Sequence, residues 1–196
     1  MKLVAATNNK NKFIEIKNKF KDIGELELVP LFDLDNIPEI VEDGNTFTDN
    51  AVKKAKTISE ITGLPALSDD SGLEIDALNG RPGIFSARYA GDDATDHDRN
   101  IKILEEMDGI SNRDAKFVCV IAIYFPGGEK HTTRGEFIGE IAHEIKGDSG
   151  FGYDPIFYLP QYGKTVGEIP LDEKNIISHR AKALEKAKNI LIKIIN

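Results

Sequence analysis

Two adjacent carboxylates, Asp69 and Asp70, stand inside the run Ser68-Asp69-Asp70-Ser71-Gly72, immediately after the apolar pair Ala66-Leu67. Like charges that close repel and are costly to bury together. Such a pair usually sits at a strand end or turn, where a divalent cation or protons compensate it. The preceding Gly63-Leu64-Pro65 is a helix stop, so Ala66 to Ser68 is expected to form a short strand with the acidic pair at its end. Taken alone, the run is also ordinary turn composition.

The rest of the chain reads as alternating strands and helices. Lys2 to Ala6 is a short buried strand, and Thr7-Asn8-Asn9 supplies cap chemistry for a helix with Phe13, Ile16 and Phe20 on one face. A second helix starts near Thr46 or Thr48 and ends before Gly63. Thr95 with Asp98 three residues on reads as a capping box for a third helix carried by Ile101, Ile103, Leu104 and Met107 to Gly109. Ala115 to Phe125 is β-rich, and Pro126-Gly127-Gly128 turns it into a second extended segment through Ile138. Gly147 to Tyr153 is a Gly-rich loop, and Ser178 caps a last amphipathic helix through Leu184, Ala187, Leu191 and Ile194. This order predicts an α/β protein with a mixed sheet.

With 196 residues the chain is long enough for one domain, or two lobes sharing a core. No apolar run approaches the roughly 20 residues of a membrane span, and the N-terminus is too short an apolar stretch for a secretory signal, so a cytoplasmic, membrane-free protein is expected. The single cysteine, Cys119, excludes an intrachain disulfide and a cysteine-based zinc site. A net charge of -8 argues against a general nucleic-acid binder, which needs a basic face. A local lysine cluster in such a protein still suffices for one triphosphate, above all one that carries magnesium.

Thr7-Asn8-Asn9-Lys10-Asn11-Lys12 lies between a strand and a helix, where backbone N–H groups and the positive end of the helix dipole favour phosphate; it is also an ordinary helix cap. In the second helix, at about 100° per residue, Ala51, Val52, Ala55, Ile58 and Ile61 form an apolar arc, and Lys54 projects within it. A lysine there either snorkels to the surface or enters a cleft that holds an anion. Glu42 in Glu42-Asp43-Gly44 offers with Asp69 or Asp70 the hard oxygen ligands that magnesium prefers. Gly150-Phe151-Gly152-Tyr153-Asp154-Pro155 combines aromatic faces with a carboxylate, a group able to stack on a planar base and accept its N–H edge. Ser178-His179-Arg180 gathers donors at a helix start. His97, His131 and His143 show no ligand spacing.

In order, TNNKNK, VEDG, SDDSGLEIDALNGRPGIFSARYAG, GFGYDPIF and EKNIISHRAKAL resemble the inosine triphosphate pyrophosphatase family over nearly the whole chain. The resemblance implies a long, mixed, twisted sheet with flanking helices and two lobes around a nucleotide-binding cleft, usually in a homodimer. It also implies hydrolysis of ITP, dITP and XTP between the α- and β-phosphates to a monophosphate and pyrophosphate, with Mg2+. By position, Asp70 matches the proton acceptor, and Asp69, Asp70 and Glu42 are the implied magnesium ligands. Lys54 and Lys12, with Thr7, Asn8, Asn9, Lys10 and Asn11 around them, are implied phosphate holders, with Ser71 adding a hydrogen bond. Phe151 is the implied base stack, flanked by Gly152 and Tyr153; Asp154 accepts from the N1–H side, and Lys174, His179 and Arg180 complete the pocket. A 6-oxo group accepts from Arg180 or His179, whereas a 6-amino group brings donor against donor. Two positions depart from the family's pattern: Asn8 stands where many relatives have Gly, and Tyr153 where some have Trp. Maf-like pyrophosphatases and a non-catalytic nucleotide sensor are the competing readings; the SHR and GFGYDP blocks weigh against the first, and a base beside a metal against the second.

Overall fold

A computed structural model describes residues 1–195. Seven strands form one mixed sheet in the order β2-β1-β3-β4-β5-β6-β7. They are β1 (Lys2–Ala5), β2 (Glu27–Pro30), β3 (Ala66–Ile75), β4 (Asp114–Tyr124), β5 (Lys130–Ile141), β6 (Phe157–Leu159) and β7 (Lys164–Thr165). The flanking helices are α1 (Lys10–Phe20), α2 (Phe47–Thr62), α3 (Asp96–Glu106), α4 (Leu171–Ile177) and α5 (His179–Ile195). β1 runs parallel to β2 and β3, with Val4 opposite Val29 and Ala66, while the β5–β6 and β6–β7 pairs are antiparallel.

The expected helix signals operate as chemistry. Asn9 caps α1 by accepting from the amides of Asn11 and Lys12 at 2.9 and 3.2 Å. Thr46 caps α2, and Gly63 ends it in the left-handed region at φ 66°. Thr95 and Asp98 form the complete capping box of α3. The turn between β4 and β5 closes through Phe125 N–H to Glu129 O and Gly128 N–H to Phe125 O, both 2.9 Å. Ser178 lies at the C-terminal end of α4, an element absent from the sequence reading, and donates its amide to Lys174 O. β2, β6 and β7 are likewise additions.

The chain divides into two units. Of the described residues, unit 1 comprises 1–70, 119–135 and 180–195, and unit 2 comprises 71–118 and 136–179. In unit 1 the sheet is covered on both faces, as a parallel sheet requires. Leu3, Leu67, Cys119, Ile121 and Ile123 pack with Ile16 and Phe20 of α1 and with Leu184, Ala187 and Leu191 of α5. Val4, Ala66 and Leu31 pack with Ile58 of α2. Cys119 is fully buried and its thiol is free. Unit 2 has its own core, in which Leu73, Ile75, Phe117, Phe137 and Phe157 meet Ile103 of α3 and Met107, the residue that follows α3. Within the apolar arc assigned to α2, Ala51, Ala55 and Ile58 are buried, but Ile61 is 47% exposed.

One local expectation is corrected. β3 does not stop at Ser68; it continues through the acidic pair to Ile75. Asp69 and Asp70 therefore lie in mid-strand, both buried, at 1% and 6% exposure. The strand persists because cationic side chains from three helices compensate the charge that a turn would have given to water.

Candidate active site

Side chains of successive strand residues point to opposite faces, so the two carboxylates enter different surroundings. On the face covered by α1 and α5, Asp69 Oδ2 accepts from Lys12 Nζ at 2.9 Å and from Arg180 Nη2 and Nε at 3.2 and 3.4 Å. Arg180, 2% exposed, also gives Nη1 to Glu15 Oε2 at 3.0 Å. Lys12 and Glu15 are three apart on α1, hence on one side of that helix. Burial pushes the Asp69 carboxyl up, but Lys12, Arg180 and Lys54 outweigh it and hold the group well below the usual carboxylate range. Burial pulls Arg180 down in the same way, and Asp69 and Glu15 reverse that, raising it above its ordinary value.

On the face covered by α2, Ser68 Oγ donates to Ala51 O, and Asp70 faces Asn50, Lys54 and Glu42. Lys54 Nζ donates to Glu42 Oε1 at 2.7 Å and is only 13% exposed, so the lysine enters a charged cluster instead of snorkelling outward. Asn50, fully buried one turn before Lys54, accepts the Gly44 amide at 2.7 Å and thereby ties the Glu42 loop to the helix. A Cβ at Gly44 would come within 2.7 Å of that Asn50 oxygen, which explains the glycine. The Asp70 carboxyl is raised to about 6, chiefly by burial and also by Glu42, against the lowering effects of Lys54, Asn50 and Lys12. Burial also depresses Lys54, but Asp69, Glu42 and Asp70 together bring it above its ordinary value.

Among the described residues no group of three or more His, Cys, Asp or Glu is placed to hold a metal. The donor set around Asp70 nevertheless suits a hard cation. Magnesium binds through one or two carboxylates and takes its other ligands from phosphates and water, which Glu42 and Asp70 match. Asp69, already accepting from Lys12 and Arg180, faces cations of the protein itself.

In unit 2, Asp154 Oδ2 accepts the Phe151 amide at 2.8 Å and contacts Lys174 Nζ. Lys174 in turn lies 4.4 Å from the centroid of the Phe151 ring. Gly150 has φ 83°, and a Cβ there would approach Asp154 Oδ2 to 2.1 Å, so glycine is required on both counts. Tyr153, 5% exposed, donates its hydroxyl to Ser86 O at 2.7 Å. His179 stacks on Phe117 with ring centroids 4.9 Å apart.

The proposed residues thus fall into two sets. Lys12, Glu42, Lys54, Asp69, Asp70 and Arg180 meet in unit 1; Phe151, Asp154 and Lys174 meet in unit 2, which also holds Ser71, Gly152, Tyr153 and His179. Arg180 bonds to Asp69 and Glu15, both in unit 1. Asn8, Lys10 and Asn11 are exposed at the start of α1, and Thr7 Oγ1 accepts the Asn9 amide at 3.2 Å. Asn8 takes an ordinary φ, since among the described residues Asn36 and Asn79 are the non-glycine residues with positive φ. The sequence reading missed Glu15 and Asn50. Asn50 was detectable as a polar residue four before the anomalous Lys54, whereas nothing local marks Glu15.

These elements define a mixed α/β protein with a buried acid–lysine cluster. The Ham1 family model matches residues 3–190, and the chain belongs to that family. A dITP/XTP pyrophosphatase of Desulforamulus reducens is 50% identical over 193 residues, which are 97% of this chain and 96% of that protein. A solved HAM1 protein from Coxiella burnetii superposes with a TM-score of 0.93 at 44% identity, covering 98% of this chain and 99% of its own. The Staphylococcus aureus Ham1 protein gives 0.91 at 37% identity, covering 99% and 100%.

Proposed function

We propose that this chain is a hydrolase of deaminated purine nucleoside triphosphates, converting dITP, XTP and ITP to the monophosphate and pyrophosphate. The observation that carries the reading is the arrangement on the α2 face of β3, where Asp70 and Glu42 are held beside Lys54 by a helix that also supplies Asn50. The dITP/XTP pyrophosphatases at 44–50% identity support the substrate class.

In this reading Asp70 takes the proton of the attacking water, a role for which it must be ionised. Lys54 places positive charge where the phosphate oxygens gain negative charge. Lys12 and the start of α1 hold the rest of the polyphosphate, while Asp69 fixes Lys12 and Arg180 in place. Glu42 and Asp70 would hold Mg2+, which when bound supplies Lewis-acid stabilisation and a more acidic water. Phe151 stacks on the base; Asp154 and Lys174 set its edge contacts, and His179 is the donor for a 6-oxo group within the same unit. A cytoplasmic homodimer belongs to the same reading.

The test is a nucleotide panel with separate pyrophosphate and orthophosphate assays, with Mg2+ and with a chelator. Pyrophosphate from ITP, dITP and XTP, at rates at least about a hundredfold above ATP, is the expected result, given how strongly a polar mismatch discriminates. Orthophosphate alone would move the cleavage position, and tight binding without product would make the chain a sensor.

A further inference from the structure

The loop that carries Phe151 is gripped from outside by a helix that no part of the substrate reading uses. Gly152 N–H donates to Asp96 Oδ2 at 2.7 Å, and Gly152 O accepts from Asn100 Nδ2 at 3.1 Å. Asp96 and Asn100 are four apart on α3, so they project from one side of that helix and take both polar groups of a single residue. That residue follows Phe151 directly, and its φ of 66° is one that glycine adopts freely, so the two bonds select one of several conformations open to it.

The clamp is itself braced. Asp96 uses its two oxygens separately, Oδ2 for Gly152 and Oδ1 for Arg99, while Arg99 Nη1 also donates to Ala87 O at 3.0 Å and to Ala94 O at 2.5 Å. The Thr95–Asp98 capping box locks the same turn. Asn100 is 3% exposed, and on its side the bond to Gly152 is made out of water. The loop's inner fastenings, Asp154 to the Phe151 amide and Tyr153 to Ser86, act on either side of Gly152. Together they leave the Phe151 backbone little freedom.

We propose that Asp96 and Asn100 are positioning residues for nucleobase recognition: by holding the amide and carbonyl of Gly152 they preset the Phe151 ring for stacking. The inference rests on the functional reading above, since it assigns Phe151 to a base. A ring that is already placed loses little freedom on binding, so the clamp contributes to base affinity and leaves the phosphate end alone. Loss of base affinity alone raises KM with kcat kept.

The experiment compares Asp96→Ala and the isosteric Asn100→Asp with the unmodified protein, measuring kcat and KM for ITP, inhibition by inorganic tripolyphosphate, and melting temperature. Each variant is expected to raise KM for ITP about tenfold, the worth of one hydrogen bond to a charged or buried partner. Tripolyphosphate, which has no base, should inhibit as before. Asp96→Asn keeps an acceptor on the same atom and should restore most of the affinity even where Asp96→Ala folds poorly. In a Phe151→Ala background the same substitutions should add nothing, because the group they position is gone. Unchanged KM, a parallel loss of tripolyphosphate inhibition, or full additivity with Phe151→Ala would each overturn the proposal. An unmodified protein that releases no pyrophosphate from ITP would instead overturn the functional reading beneath it.

Discussion

The two faces of β3 contrast within a single dipeptide. Asp69 is surrounded by cations and stays ionised; Asp70, one residue on, sits beside Glu42 and inside α2's packing, and its carboxyl is raised to about 6. The same functional group is held as an anion among cations on one face and, on the other, is the group to which the proposed mechanism gives the water's proton. What separates them is the alternation of a strand, which sends neighbours to different helices. The acid–lysine cluster therefore depends on β3 remaining extended through Asp70.

The contrast is broken most severely at Arg180. Arg180→Ala removes a buried cation shared by Asp69 and Glu15 and leaves Lys12 as the ion-pair partner of Asp69 at 2.9 Å, so about 3–5 kcal/mol of stability should be lost in urea unfolding. Asp70→Asn tests the other face: pyrophosphate release from ITP should fall at least about a hundredfold, the usual loss of a general base, while nucleotide binding survives. The same variant should gain stability. A carboxyl raised in the folded state binds its proton more tightly there than in the unfolded chain, so its stabilising contribution is full below about pH 4 and lost as pH rises to about 6. Measured in chelator, Asp70→Asn should be more stable than the unmodified protein at pH 7 by on the order of 3 kcal/mol, with no difference near pH 4. Asp69 works in the opposite sense: its contribution is present above its ordinary value and lost on acidification below about pH 4. The smallest effect is expected at Asn50. Asn50→Leu deletes a contact that favours the charged form of Asp70, so the pH midpoint of activity should move upward, read from kcat/KM across pH 5–8.

Much of the helical framework was legible because it is written locally. Asn9, Thr46, Gly63 and the Thr95–Asp98 box act within a turn of where they stand. The course of β3 was not, because the partners that keep Asp-Asp-Ser-Gly extended come from elsewhere, Arg180 from 111 residues away. β7 has two residues and β2 ends in Pro30, too little pattern to be read as strands. Lys54 announced itself as a charge on an apolar arc. Glu15 looked like any exposed helix residue until Arg180 was found against it. The aromatic loop was recognisable from its composition, but its fastening to α3 runs through the backbone of Gly152, which carries no side-chain signal at all.

Cys119 gives the protein a chemical clock. Its thiol lies at 0% exposure on β4, and burial pushes it up to about 12, so the folded form holds almost no thiolate for an alkylating reagent to capture. Because it is the chain's single cysteine, labelling reads one place, the strand interior of unit 1. Its rate is then set by how often that interior opens, and a fading or quickening of the reaction measures the local free energy of opening directly beside the charged cluster.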